Sequence, residues 1–83
     1  MEKRIGTISI VIYEKTAAVL VNQLLSEYSD YILARNGLPL HQKELSIISI
    51  IIESSTDNIN ALTGKLGRIK DVEVKTILSK YKE

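Results

Sequence analysis

The chain has 83 residues, with 11 lysines and arginines against 10 aspartates and glutamates, a formal net charge of +1 and no cysteine. That length fits one domain, residues 1–83, with a core small enough that a shared partner surface would help it. Balanced charge without a long run of one sign argues against an electrostatic grip on nucleic acid or a membrane surface, and the lack of cysteine excludes disulfides, thiolate catalysis, iron–sulfur ligation and cysteine-based zinc sites. Met1 and three charged residues lead into a short apolar run with no small-residue cleavage site. No apolar run approaches the ~18 residues that span a bilayer. The expectation is a cytoplasmic protein, neither exported nor membrane-embedded.

From Arg4 to Ile12 the sequence RIGTISIVI alternates Ile8, Ile10 and Ile12 with Thr7, Ser9 and Val11, which predicts a strand. Glu14, Lys15 and Thr16 break the pattern. Ala17, Leu20, Val21, Leu24, Leu25 and Tyr28 then form a helical stripe opposite Asn22, Gln23, Ser26 and Glu27, so a helix packed on a sheet is expected. Its end is open: Tyr31, Ile32, Ala34 and Arg35 either prolong the helix or begin a second strand after Ser29 and Asp30, and the local pattern leans to the helix. Asn36-Gly37 followed by Leu38-Pro39 predicts a turn or loop.

Leu45 to Glu53, LSIISIIIE, is apolar at both parities, with Leu45, Ile47 and Ile51 on one side and Ile48, Ile50 and Ile52 on the other. A strand covered on both faces is the natural reading. Two helices cover one face of a small sheet, so the other face is expected to meet a second chain, a ligand or water.

Ile59, Leu62, Leu66 and Ile69 recur at helical spacing after Thr56 and Asp57, which can cap. The helix is expected to run from near Asp57 to near Leu66 and to end on Gly67 in the left-handed conformation, with Lys65 and Arg68 suited to the negative end of its dipole. Gly64 lies inside this helix, where close backbone packing is the first explanation and approach of a ligand the second. After Lys70 and Asp71 the period becomes two, with Val72, Val74 and Thr76 against Glu73, Lys75 and Ile77, a final strand.

Taking the ambiguous piece as a strand gives βαββαβ, a ferredoxin-like α+β sandwich: a four-stranded antiparallel sheet with two helices on one face. The segments YILARNGLPL (Tyr31 to Leu40), the isoleucine strand after it and ALTGKLGRIKDVEVKT (Ala61 to Thr76) resemble the iron-only hydrogenase system regulator family across nearly the whole chain. That family is related to ACT domains and to the C-terminal domain of nickel-responsive repressors. The resemblance implies strand character for Tyr31 to Asn36, a homo-oligomer, dimer or tetramer, built through the sheets, and a regulatory role near hydrogenase genes. It implies no catalytic residue. Nickel-responsive repressors add a DNA-binding segment and bind metal through several histidines and a cysteine, neither of which this chain has, so neither DNA binding nor nickel binding is carried over.

Possible sites are few. His41 is the sole histidine, reads as a solvated loop residue and brings no ligand spacing with it, so no metal or other cofactor is expected. Glu14, Glu27 and Asp30 show no spacing for acid–base work and read as surface charges. No nucleophile elbow or histidine–acid constellation surrounds any serine. Gly64-Lys65-Leu66-Gly67 closes a helix, whereas a phosphate-binding loop precedes one. Tyr13, Tyr28, Tyr31 and Tyr81 do not interleave with basic residues as a stacking surface would. The remaining candidate is a shallow ligand site at a subunit boundary, where Arg35, Asn36 and Gly37 meet Gly64, Lys65 and Gly67 of the same or a neighbouring chain, Arg35 suiting a carboxylate and Asn36 an amide. The sequence thus points to a non-catalytic regulatory module that senses a small ligand as a homo-oligomer. The alternative is a structural module that docks a regulatory or maturation protein without a small ligand.

Overall fold

A computed structural model describes residues 2–82. Strand β1 (Arg4–Ile12) leads into helix α1 (Lys15–Glu27), a 3-10 turn (Ser29–Tyr31) and strand β2 (Ile32–Leu40). A second 3-10 turn (His41–Lys43) joins β2 to β3 (Leu45–Ser54), followed by helix α2 (Thr56–Gly67) and β4 (Val72–Lys82). The four strands form one antiparallel sheet in the order β2-β3-β1-β4. This is the ferredoxin-like βαββαβ fold.

Alternation decides which face meets the helices. Ile8, Ile10 and Ile12 of β1 and Ile48, Ile50 and Ile52 of β3 are buried with Ala17, Val21 and Leu25 of α1 and Ile59, Leu62 and Leu66 of α2 in one core. Each fully buried Ile or Leu contributes about 1.5–3 kcal/mol relative to exposure. Val72, Val74 and Leu78 of β4 pack against that core. The Thr63 and Thr76 hydroxyls, 2.7 Å apart, tie α2 to β4. The residues of opposite parity, including Ile47, Ile51 and Ile77, remain exposed on the second face.

Several local expectations are corrected. The turn expected at Asn36-Gly37-Leu38-Pro39 is strand: β2 runs through it, and no glycine has positive φ. The reason is tertiary, because β3 offers a backbone ladder that these residues complete. Pro39 is tolerated because β2 is an edge strand. The reversal falls instead on His41–Lys43 and on Glu44, which is left-handed at φ 56°. The lean toward helix after Tyr31 also gives way, to the strand that the family resemblance implies, with a register shift between Ile32 and Ala34.

Helix α2 is capped by Ser55, whose hydroxyl accepts from the Asn58 amide at 3.2 Å, rather than by Thr56 or Asp57. It does not end on a left-handed Gly67. Arg68 at its end is right-handed, and Asp71 at φ 66° makes the left-handed step into β4. Gly64 has no atom within 4 Å of where a Cβ would sit, so close packing does not account for it. Leu20, placed in the apolar stripe of α1, is half-exposed.

Candidate functional site

The residues singled out from the sequence fall into separate places. Arg35 sits on the helix side of β2, opposite Ile50, and its guanidinium donates to the Asn22 side-chain oxygen on α1. Asn36, one residue on, faces the other side of the sheet. Gly37 returns to the helix side, with nothing within 4 Å of its Cβ position. Lys65 turns toward the far end of α1, where its Nζ donates to the Tyr28 hydroxyl at 3.2 Å and lies 5.3 Å from the ring centroid. Gly67 touches Val74, whose Cγ1 would lie 3.5 Å from an added Cβ.

Asn22 and Tyr28 are six positions apart, which on a helix means roughly 9 Å along the axis and roughly 120° around it. Arg35 and Lys65 therefore approach α1 from different flanks. Within one chain they do not converge on a common ligand.

A concavity lies elsewhere. A cavity of about 570 Å³ opens between the β1–α1 connection and the β2–β3 connection, lined by Tyr13, Glu14, Lys15, Thr16, His41 and Glu44 with Ile12 and Leu45 among its apolar contributors. The volume is within the range of small-molecule sites. Helix α1 starts here without a side-chain cap: Glu14 is extended, and its carbonyl accepts from Ala17 and Ala18, while the amides of Lys15 and Thr16 have no partner within the helix. Tyr13 is fixed at the rim by its hydroxyl, which donates to Glu73 at 2.8 Å, and by its amide, which donates to the Asp71 carbonyl at 2.9 Å. The Glu73 carboxylate accepting that bond, with some burial and its negative charge nearby, raises the Tyr13 pKa above the ordinary 10.0. By sequence these two connections read as a helix break and a solvated loop. The signal for a site was their polarity, but nothing local shows that the fold brings them together.

The second face of the sheet is the other unassigned feature. Ile47, Ile51 and Ile77 are 36%, 40% and 70% exposed there, values that mark an uncovered apolar face rather than scattered surface residues. Strand β2 is exposed from Leu33 to Pro39 whichever face the residue occupies. Its contribution is held mainly by the ladder to β3. Among the described residues no cluster of three metal-ligating side chains occurs, and no helix is long and apolar enough to cross a membrane.

Comparison with known proteins matches residues 4–76 to the TM1266-like family, described as "Iron-only hydrogenase system regulator, putative". The chain belongs to this family. It is similar to the protein TM1266 from Thermotoga maritima, at 39% identity and a TM-score of 0.90 over 94% of this chain and 99% of that one. The ACT domain of a GTP pyrophosphokinase from Chlorobium tepidum has the same fold at a TM-score of 0.76 and 18% identity, over 90% of this chain and 99% of that one. So does the C-terminal domain of the MgtC protein from Mycobacterium tuberculosis, at 0.71 and 8%, over 94% and 89%. No curated protein matches significantly. The TM1266-like family thus supplies a regulatory description and an ACT-like fold.

Proposed function

We propose that the chain is a non-catalytic, ACT-like regulatory module of a cytoplasmic iron-only hydrogenase system, that it assembles with copies of itself through the open sheet face, and that a small ligand shifts its assembly state. The observation that carries this reading is the uncovered face bearing Ile47, Ile51 and Ile77. A small domain that leaves such a face in water gains by covering it, and a second copy supplies a matching surface at no cost in new sequence. A ligand that binds one assembly state better than another shifts the population between them.

The cavity beside Tyr13, Lys15 and His41 is the better seat for that ligand. A ligand touching both Arg35-Asn36-Gly37 and Gly64-Lys65-Gly67 would have to lie between chains, since α1 separates Arg35 from Lys65 within one. A second reading, docking of a regulatory or maturation protein, is favoured by β2, an edge strand with free backbone groups and exposure on both faces.

Native mass spectrometry of gently purified protein tests both. A multimer carrying a reproducible extra mass that is lost on changing cavity residues supports sensing. A ligand-free multimer that retains a protein partner supports docking, and a monomer at all concentrations removes the basis for assembly.

A further inference from the structure

Past the Leu40–Leu45 pair at the β2–β3 connection, the register of the sheet places the residues of the open face in four transverse rows. Leu38, Ile47, Val11 and Glu73 form one; Asn36, Ser49, Ser9 and Lys75 the next; Ala34, Ile51, Thr7 and Ile77 the third; Glu53 and Ile5 lie beyond. The second row is polar from edge to edge and lies between two rows that are largely apolar. From β2 to β1 the first three rows contain no charged residue.

Building on the assembly reading above, we propose that this polar row sets the register of a face-to-face dimer of the chain, with the twofold axis parallel to the strands and passing between β3 and β1. That axis exchanges β2 with β4 and β3 with β1. It sets Ser49 against the partner's Ser9 and Asn36 against the partner's Lys75, each pair occurring twice. Hydroxyls meet hydroxyls, and the Asn36 amide oxygen accepts from an ammonium. In the flanking rows Ile47 meets the partner's Val11, and Ala34 meets the partner's Ile77. Every polar group of the row finds a polar group; in the flanking rows Leu38 lies over the partner's Glu73 and Ile51 over the partner's Thr7, so the match is carried by the polar row.

The other face-to-face arrangements lose the Asn36–Lys75 pairing. An axis across the strands lays β4 on β4 and brings Lys75 against the partner's Lys75, a like-charge contact. A diagonal axis turns the polar row at right angles to the partner's row, so Asn36 and Lys75 lie over isoleucine and threonine rather than over each other, and burying them unpaired is costly. Strands kept near parallel also suit the aligned, roughly −30° packing of two twisted sheets. Four strands at ~4.8 Å and four rows at ~6.8 Å give a footprint of roughly 500 Å² before side-chain relief is counted, approaching the ~800 Å² per partner of a stable complex.

The test is sedimentation equilibrium at low salt on the native chain and on Ile51→Lys, Asn36→Asp and Lys75→Glu, with circular dichroism confirming the fold of each. Asn36→Asp is expected to tighten the dimer roughly three- to tenfold, because two new ion pairs with the partner's Lys75 form, and added salt reduces the gain. Lys75→Glu weakens it, and Asn36→Lys combined with Lys75→Glu restores it. If Ile51→Lys dissociates the assembly but Asn36→Asp loosens it or leaves it unchanged, the register is wrong while the sheet-face assembly stands. If Ile51→Lys leaves the assembly intact, or the native chain stays monomeric, the sheet-face reading falls and the register with it.

Discussion

The Lys65 ammonium donates to the Tyr28 hydroxyl at 3.2 Å and lies 5.3 Å from the centre of the same ring, joining the last turn of α2 to the end of α1. Tyr31 extends the contact, with its ring centroid 6.3 Å from that of Tyr28. Lys65 stood out in the sequence as a ligand residue, and its contacts give it a role in holding the helix layer together. A cation over an aromatic ring at an exposed site contributes about 0.5–1 kcal/mol. Lys65→Ala is therefore expected to lower the unfolding free energy by that amount, read as a fall in the urea midpoint at unchanged slope, while any bound small molecule is retained. Loss of the ligand without loss of stability would return Lys65 to the binding site.

The glycines separate by what a methyl group would meet. At Gly64 an added Cβ enters open space in a helix interior, so Gly64→Ala gains the helix propensity of alanine, about 0.8–1 kcal/mol. At Gly6 the same methyl lies 3.2 Å from the Ile77 carbonyl oxygen and 3.4 Å from Leu78 Cδ2, in the β1–β4 ladder. Gly6→Ala is expected to destabilise by roughly 1–3 kcal/mol through overpacking. Thermal unfolding of the two variants should move in opposite directions. A fall for Gly64→Ala would show that its bare backbone serves an approach by another molecule or chain.

The strands with period-two patterns were legible because burial on one face imposes that period directly: Ile8, Ile10 and Ile12, and Val72 and Val74, lie where alternation puts them. Strand β2 was not, because Asn36-Gly37 and Leu38-Pro39 carry local turn preferences worth little beside a full ladder to β3. The left-handed step after α2 falls on Asp71 rather than Gly67 for a related reason. Gly67 can take that conformation at low cost, but the chain continues helically through it, and the step falls on Asp71, whose short polar side chain tolerates it. The open face was legible in the two-sided isoleucine pattern of β3. The cavity was not, since Tyr13 and His41 come together through the return of β3 beside β1 and not through any shared motif.

Parity along β3 now assigns two neighbouring isoleucines to different tasks. Ile50 is fully buried against the helices, whereas Ile51 is 40% exposed on the open face. Ile50→Ala is expected to cost about 2–5 kcal/mol, and Ile50→Glu to abolish the cooperative transition. Ile51→Glu should keep the helical and strand signal in circular dichroism while the sedimenting mass drops to that of one chain. A folded, fully assembled Ile51→Glu variant would mean that the open face is not where copies meet.

Tyr13 supplies a pH dependence with a definite sign. Its hydrogen bond to Glu73, with slight burial and the adjacent carboxylate charge, holds the phenol protonated above its ordinary pKa of 10.0. The folded state thus binds this proton more tightly than the unfolded chain does, and the group's contribution to stability is complete below the unfolded pKa and lost as pH rises through the folded one. In an absorbance titration of tyrosinate, Tyr13→Phe should remove a step lying above pH 10, and Glu73→Ala should move that step down toward the ordinary value. Glu73→Gln separates the causes, because it keeps an acceptor oxygen but removes the charge, and the step should fall between those of the native chain and Glu73→Ala. Should Glu73→Ala leave the whole titration curve in place, the Tyr13–Glu73 bond does not persist in solution, and the rim of the cavity is free to move.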